Sequence, residues 1–280
     1  MKVVIFGLAK SGTTALFYKL KNSLSPDTTC LFEPLFFDSR AVKASEIFSR
    51  ILGKRELDVL AKVLPFRPND PADVESFSHF DRQILIVRDP RDRIISRLLY
   101  GVYDSNFRRD DDKVGVFLEL LRRKEAGPRS VTLRTLLATF AKLNGESFSF
   151  DAWAARHRQH SIRKPLDFHD ARAGMFLYKY EDMIDGRFDD LEEYLGVPLK
   201  GGDASVAASL GRVARTKSYG NWRDWLTEED SEYLRPLLRP FLERYYGEAD
   251  WELNPSPSIP AEYCSLYVER IVNDRRASTR

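Results

Sequence analysis

The sequence predicts an α/β fold of three layers, with helices on both faces of a central parallel sheet, and three stretches carry that prediction. Lys2-Val-Val-Ile-Phe-Gly7 is a short apolar run that collapses into a glycine-bounded turn and restarts as a helical pattern, the signature of strand, loop and helix. Ile84-Leu-Ile-Val87 is apolar without interruption, as a strand buried on both faces must be. Met175-Phe-Leu-Tyr178 repeats that pattern late in the chain. A chain of 280 residues, 43% of them hydrophobic, can bury a sizeable core, and it reads as a single domain over residues 1–280.

The elements follow in order. Beyond Gly12, Ala15, Leu16, Leu20 and Leu24 recur at helical spacing until Ser25-Pro-Asp27 stops them. Thr28 to Phe32 is β-rich and predicts a second strand, with Glu33 at its C-terminal end. Over residues 41–64, the spacing of Ala41, Ile47, Ile51, Leu57, Leu60 and Leu64 predicts a helix, before a turn-rich break from Pro65 to Pro71. The strand at Ile84 delivers Arg88 to its C-terminal end, where α/β folds hold their ligands. Asp89-Pro90 then supplies an N-cap and a first helical residue for a helix through Ile94, Ile95, Leu98 and Leu99.

Residues 101–170 are the least sheet-like part and the most locally basic. They read as helices and loops over the sheet, with charges such as Lys124, Arg129 and Arg134 on solvated faces or along a cleft. Ile184, Phe188, Leu191 and Leu195 mark a helix closed by Gly196 and Pro198. Residues 201–214 predict a loop or weak helix. Thr227 and Asp230 form a variant capping box opening a helix that Pro236 and Pro240 should kink or split. Asn254 to Pro260 is a Pro/Ser hinge, Ala261 to about Asn273 a closing amphipathic helix, and Arg275 to Arg280 a frayed end.

Gly7 and Gly12 have the spacing G-x-x-x-x-G of a phosphate-cradling loop, in which backbone N–H groups and the following helix N-terminus bind an anion together. The Lys-Ser/Thr pair that an ATP loop carries after its second glycine is absent. Thr13 and Thr14 stand there, and the lysine sits inside the loop as Lys10, so the match breaks where metal and γ-phosphate would be handled. A formal charge of +2 gives no global electrostatic argument for nucleic acid. Cys30 and Cys264 are far apart and lack metal-ligand spacing, which points to a reducing compartment without a disulfide framework. Val3 to Phe6 is too short for a signal peptide or membrane anchor, and no stretch approaches the ~18 apolar residues of a spanning helix. With Met1 as the start, the expected location is the cytoplasm.

Four separated pieces occur in the order seen in sulfotransferases that use 3′-phosphoadenosine 5′-phosphosulfate. Lys10-Ser-Gly-Thr-Thr14 resembles that family's 5′-phosphosulfate loop, and Arg88-Asp-Pro-Arg-Asp-Arg-Ile-Ile-Ser96 its 3′-phosphate motif. Tyr180-Glu-Asp182 resembles the family's Tyr-Glu-Asp strand end, and Arg215 through Gly220-Asn-Trp222 is similar to its C-terminal nucleotide-binding loop. The resemblance implies a P-loop nucleotide-kinase-like fold, a donor that leaves as 3′,5′-ADP, and no metal. It makes Lys10 the catalytic lysine at the bridging oxygen, with Ser11, Gly12, Thr13 and Thr14 around the 5′-phosphosulfate. Arg88 and Ser96 would grip the 3′-phosphate with Arg215 beside it, Lys217 would belong to the same C-terminal loop, and Tyr180 would lie near the adenine. Two positions depart from the pattern. Ala15 stands where many relatives stack a Trp on the adenine, and Arg215-Thr-Lys217 stands where relatives with small acceptors carry Arg-Lys-Gly.

An acceptor hydroxyl loses its proton as it attacks, so a base belongs beside the loop on a neighbouring strand end. Glu33 has that position, and Phe32-Glu33-Pro34 resembles the Phe-Glu-Pro segment of carbohydrate sulfotransferases, which implies an acceptor on a sugar, polysaccharide or glycolipid. His79 is the other candidate base, although it precedes its strand on the side away from the ligand edge. Two further readings stay open: a P-loop phosphotransferase, which would need Mg²⁺ and ATP, and a protein that binds a 3′-phosphonucleotide without catalysis.

Overall fold

The computed structural model describes residues 1–47, 57–67, 71–200, 215–247 and 249–277. In chain order these form β1 (Lys2–Gly7), α1 (Thr13–Ser23), β2 (Thr29–Phe32), α2 (Ser39–Ile47), β3 (Val59–Val63), β4 (Arg82–Val87), α3 (Pro90–Asp104), α4 (Asp111–Ala126), α5 (Leu133–Leu143) and α6 (Phe150–His157). They continue with α7 (Lys164–Asp170), β5 (Phe176–Lys179), α8 (Tyr180–Ile184), α9 (Asp189–Leu195), α10 (Trp222–Trp225), α11 (Glu228–Tyr246) and α12 (Ser265–Ala277). The chain divides into two compact units, Met1–Arg88 with Lys164–Ala208, and Asp89–Arg163 with Ser209–Arg280.

The first unit holds the sheet. Five strands run in the order β2-β3-β1-β4-β5, and every pairing is parallel. The apolar run of β1 forms the centre, with Ile5 opposite Lys62 on one side and Ile84 on the other. Side chains alternate between faces. Val3, Ile5, Ile84 and Ile86 pack with Leu16, Phe17 and Leu20 of α1 and with Leu191 and Leu195 of α9. On the opposite face Phe6 meets Phe168 at 5.1 Å and Phe77 at 6.2 Å, within an aromatic cluster that Phe37, Phe66 and Phe80 complete. A parallel sheet needs both faces covered, and truncating one of these buried side chains to Ala costs about 2–5 kcal/mol.

The helix expected over 41–64 is corrected by β3. Only α2 is helical, residues 48–56 lie outside the described residues, and Val59–Val63 is a strand paired on both edges. A short apolar run fits both periods, and the pairing partners on either side decided in favour of strand. The helix expected from Ile184 to Leu195 is two short ones, separated by Gly186 at φ 73. The loop or weak helix expected at 201–214 lies outside the described residues.

The second unit is helical; residues 101–170, expected to be helices and loops, are so, with their last segment, α7, in the first unit. Asp89 caps α3 by accepting from the Arg91 N–H at 2.9 Å, with Pro90 in the first turn. The Thr227–Asp230 capping box is present. The helix it opens runs unbroken to Tyr246, contrary to the expected split. Pro236 and Pro240 lie one turn apart on the exposed face, so the bonds they remove face solvent while Leu234, Leu237, Leu238, Phe241 and Leu242 stay buried. Two of the basic residues read as solvated are structural. Lys124 is fully buried and donates to the carbonyl oxygens of Pro128 and Val131, and Arg129 donates to those of Arg223, Asp224, Leu226 and Asn254. Arg275 and Arg276 are not frayed: both lie in α12, and Arg276 Nε donates to the Arg108 carbonyl at 2.8 Å.

Candidate functional site

The chain leaves β1 at Gly7 and enters α1 at Thr13. A Cβ on Gly7 would come within 2.7 Å of Thr13 Cγ2 and 2.9 Å of the Ile86 carbonyl oxygen, so close packing of loop against β4 requires glycine. Gly12 is the N-cap of α1 at φ 88, and a Cβ there would lie 2.5 Å from Tyr180 Cδ2. Lys10 also has a left-handed backbone, at φ 71, which a residue with a side chain adopts at a cost of about 1–2 kcal/mol. Gly12 has no side chain with which to cap α1, which leaves the first N–H groups and the positive end of the dipole for an anion.

Arg88 and Tyr180 follow the last paired residues of β4 and β5, Val87 and Lys179, which are register partners. They therefore emerge at the same sheet edge as the loop, where the strand order reverses between β1 and β4. The Arg88 guanidinium carbon lies 4.3 Å from the Tyr180 ring centroid, and Arg88 Nη1 donates to the Lys10 carbonyl oxygen at 3.3 Å. Arg88 is 6% exposed, and among the described residues its Nε has no hydrogen-bond partner. The loop, the arginine and the tyrosine thus form one constellation around a buried donor suited to an anion.

Beside it lies a charged pair that the sequence reading only half found. Glu33 follows β2 with φ 56, and its N–H donates to the Lys62 carbonyl at 2.8 Å. Its carboxylate accepts from Lys62 Nζ at 2.6 Å through Oε1 and from Arg67 Nη2 through Oε2. Lys62 Nζ also donates to Thr14 Oγ1 at 2.9 Å and sits 3.9 Å over the Phe32 ring. Burial pushes the Glu33 carboxyl up, but the hydrogen bond and charge of Lys62, together with Arg67, outweigh it and hold the group below its ordinary 4.5. Burial lowers Lys62 from its ordinary value, against the pull of Glu33. The sequence does not single out Lys62 and Arg67, because helical spacing up to Leu64 and the turn-rich stretch from Pro65 mask their strand. The available signal was a lysine inside the apolar run Val59-Leu-Ala-Lys-Val63, which on a doubly covered strand demands a partner.

Ser96, Arg215 and Lys217 belong to the second unit. Ser96 is buried on α3, Arg215 is buried with Nη1 donating to the Tyr263 carbonyl at 3.0 Å, and Lys217 is exposed. In the same unit Asp92 accepts from the N–H groups of Gly220 at 2.6 Å and Trp222 at 2.9 Å, so one motif's carboxylate shapes the other motif's loop. Arg91 lies 3.8 Å over the Trp222 ring. His79 is exposed and precedes β4, at the end of the strand opposite Arg88. Trp153 stacks on His157 at 5.0 Å. Among the described residues no group of three His, Cys, Asp or Glu side chains is placed to hold a metal, and no helix is long and apolar enough to cross a membrane.

No protein-family model matches the chain, and no curated protein matches it. Among solved structures it is similar to mouse sulfotransferase SULT7A1 complexed with PAP, with 17% identity, a TM-score of 0.47, and coverage of 86% of this chain and 84% of that one. It is also similar to retinol dehydratase in complex with androsterone and the inactive cofactor PAP, with 14% identity, a TM-score of 0.42, and coverage of 89% and 82%.

Proposed function

We propose that the protein is a sulfotransferase that moves the sulfuryl group of 3′-phosphoadenosine 5′-phosphosulfate to an acceptor hydroxyl on a sugar, polysaccharide or glycolipid. The observation that carries the proposal is the meeting of three separate motif pieces: Gly12 lies against Tyr180, Tyr180 against Arg88, and Arg88 bonds the carbonyl of Lys10. The residues fit an anionic donor, because the loop is closed to any side chain at Gly12, α1 is uncapped, and Arg88 keeps a buried donor.

The donor, when bound, supplies an activated sulfuryl group. The chain supplies positioning and charge. Ser11, Gly12, Thr13 and Thr14 hold the 5′ end, and Arg88 the 3′-phosphate. Lys10 neutralises the charge that gathers on the leaving phosphate, and Lys62, fixed on Thr14, adds a second cation beside it. Glu33 takes the acceptor's proton as the new S–O bond forms and the bond to the 5′-phosphate breaks, with 3′,5′-ADP leaving. Leu35 and Phe36, 42% and 61% exposed just beyond Glu33, offer an apolar face on which a sugar ring packs. Ser96, Arg215 and Lys217 keep the donor-binding roles that the sequence resemblance gives them.

The test is transfer of label from the donor to a panel of glycans, glycolipids and phenols, with and without Mg²⁺. Transfer to a sugar without metal is expected, and Lys10→Ala and Glu33→Ala should each lower kcat about 100-fold or more. ATP turnover that depends on Mg²⁺, without sulfuryl transfer, would overturn the proposal. Binding of 3′,5′-ADP with no transfer across the panel would leave a nucleotide-binding protein.

A further inference from the structure

We infer that Arg67 selects the acceptor: its guanidinium, held on Glu33 in the ligand-free protein, exchanges onto an anionic group of the acceptor, so that the favoured substrate is an acidic sugar carrying a carboxylate or sulfate beside its reacting hydroxyl. The inference rests on the reading of Glu33 as the base. Both oxygens of that carboxylate are occupied by cations, Oε1 by Lys62 and Oε2 by Arg67. Each oxygen thereby carries a cation, which weakens the carboxylate as a base, and the loss of one cation restores its basicity.

The two cations differ in what holds them. The Lys62 side chain is 3% exposed, lies on a strand paired at both edges, bonds Thr14 at 2.9 Å and sits 3.9 Å over Phe32. Moving it would break its bond to Thr14 at the start of α1. Arg67 lies past the end of β3, beyond the turn at Pro65 and Phe66, with its side chain 40% exposed, and among the described residues Glu33 is its one ion-pair partner. Arg67 is therefore the cation that can leave.

What it leaves for is set by chemistry. A guanidinium presents a planar fork that matches a carboxylate or a sulfate and gains little from a neutral hydroxyl. Lys62, Arg67 and Glu33 together carry one net positive charge, and an acceptor anion both neutralises that excess and releases Oε2. A neutral sugar leaves the Glu33–Arg67 pair intact and the base occupied. Selection thus comes from a competing contact inside the protein as much as from a new contact to the substrate.

The experiment compares methyl β-glucuronide, a sulfated methyl glucoside and neutral methyl β-glucoside, by calorimetric binding without donor and by transfer kinetics with it. Wild type should bind either acidic glycoside about tenfold or more tightly over the neutral one. Arg67→Ala should erase that difference while keeping 3′,5′-ADP binding and the melting temperature. Glu33→Gln, which removes the internal competitor, should tighten the acidic glycosides further, a response that a merely structural arginine would not give. Equal binding of the three glycosides, absence of binding, or a preference that survives in Arg67→Ala would overturn the inference. Transfer to neutral glycosides without preference defeats the Arg67 exchange and leaves the sulfotransferase reading standing. Arg67-dependent binding with no transfer at all defeats that reading and leaves the exchange standing.

Discussion

A handful of backbone angles decide what this loop can bind. Gly12 combines φ 88 with a Tyr180 ring edge where a side chain would begin, so two separate constraints fall on one residue. Gly12→Ala adds the left-handed penalty of ~1–2 kcal/mol to an overpacking cost of ~1–3 kcal/mol. Thermal melts should show a clear loss of stability, and 3′,5′-ADP binding should fall in step as Tyr180, which Arg88 packs against, is displaced; a variant with unchanged affinity would show that the loop tolerates a wider turn. Lys10 bears a similar constraint with a side chain in place, at φ 71, and its carbonyl accepts from Arg88, whose Nε has no hydrogen-bond partner among the described residues. Glu33, at φ 56, is the third residue of this kind. Non-glycine residues in this region concentrate at functional sites, where the surroundings over-determine them.

At the scale of elements, the sheet edge and the helix termini do the positioning. β1 and β4 end beside one another, so the glycine loop and Arg88 share an edge without any long connection, and β5 adds Tyr180 one residue beyond its last pair. β3 contributes Lys62 from within a paired strand, with its side chain 3% exposed, whereas Arg67 lies past the strand end with its side chain 40% exposed. In the second unit α11 shows packing overriding propensity. Its two prolines cost hydrogen bonds on the wet side only, and the buried stripe from Leu234 to Tyr245 keeps the helix continuous. Pro240→Ala restores an N–H inside a helix, and it should raise the unfolding free energy by ~1–3 kcal/mol in denaturant titration. A neutral or destabilising result would mean that the proline ring itself is packed.

For the whole molecule, the buried Lys124 ties stability to pH. Burial drives its ammonium down to about 8 from an ordinary 10.5, with Asp230 opposing and Arg129 assisting. Below pH 8 the folded and unfolded chains both carry the charge, and the folded one bears the full cost of desolvating it. Between 8 and 10.5 the unfolded chain binds the extra proton, so this contribution to stability rises with pH, by about 3 kcal/mol in all. Stability of the wild type minus that of Lys124→Met should climb over this window in parallel denaturations; a flat difference would place the lysine in contact with water. The sequence alone determined the loop, because glycine spacing after a short apolar run and a misplaced Lys10 are local facts. It also placed Arg88 directly beyond the apolar run Ile84–Val87, whereas Tyr180 was singled out by its resemblance to a family motif. It did not determine β3, since Leu57, Leu60 and Leu64 fit a helical period equally well and only neighbouring strands settle such a run. With β3 went Lys62 and Arg67. Only the tertiary structure decided that Glu33 faces two cations, because hydrogen bonding between residues 29 and 34 positions apart is a property of sheet order and not of sequence spacing.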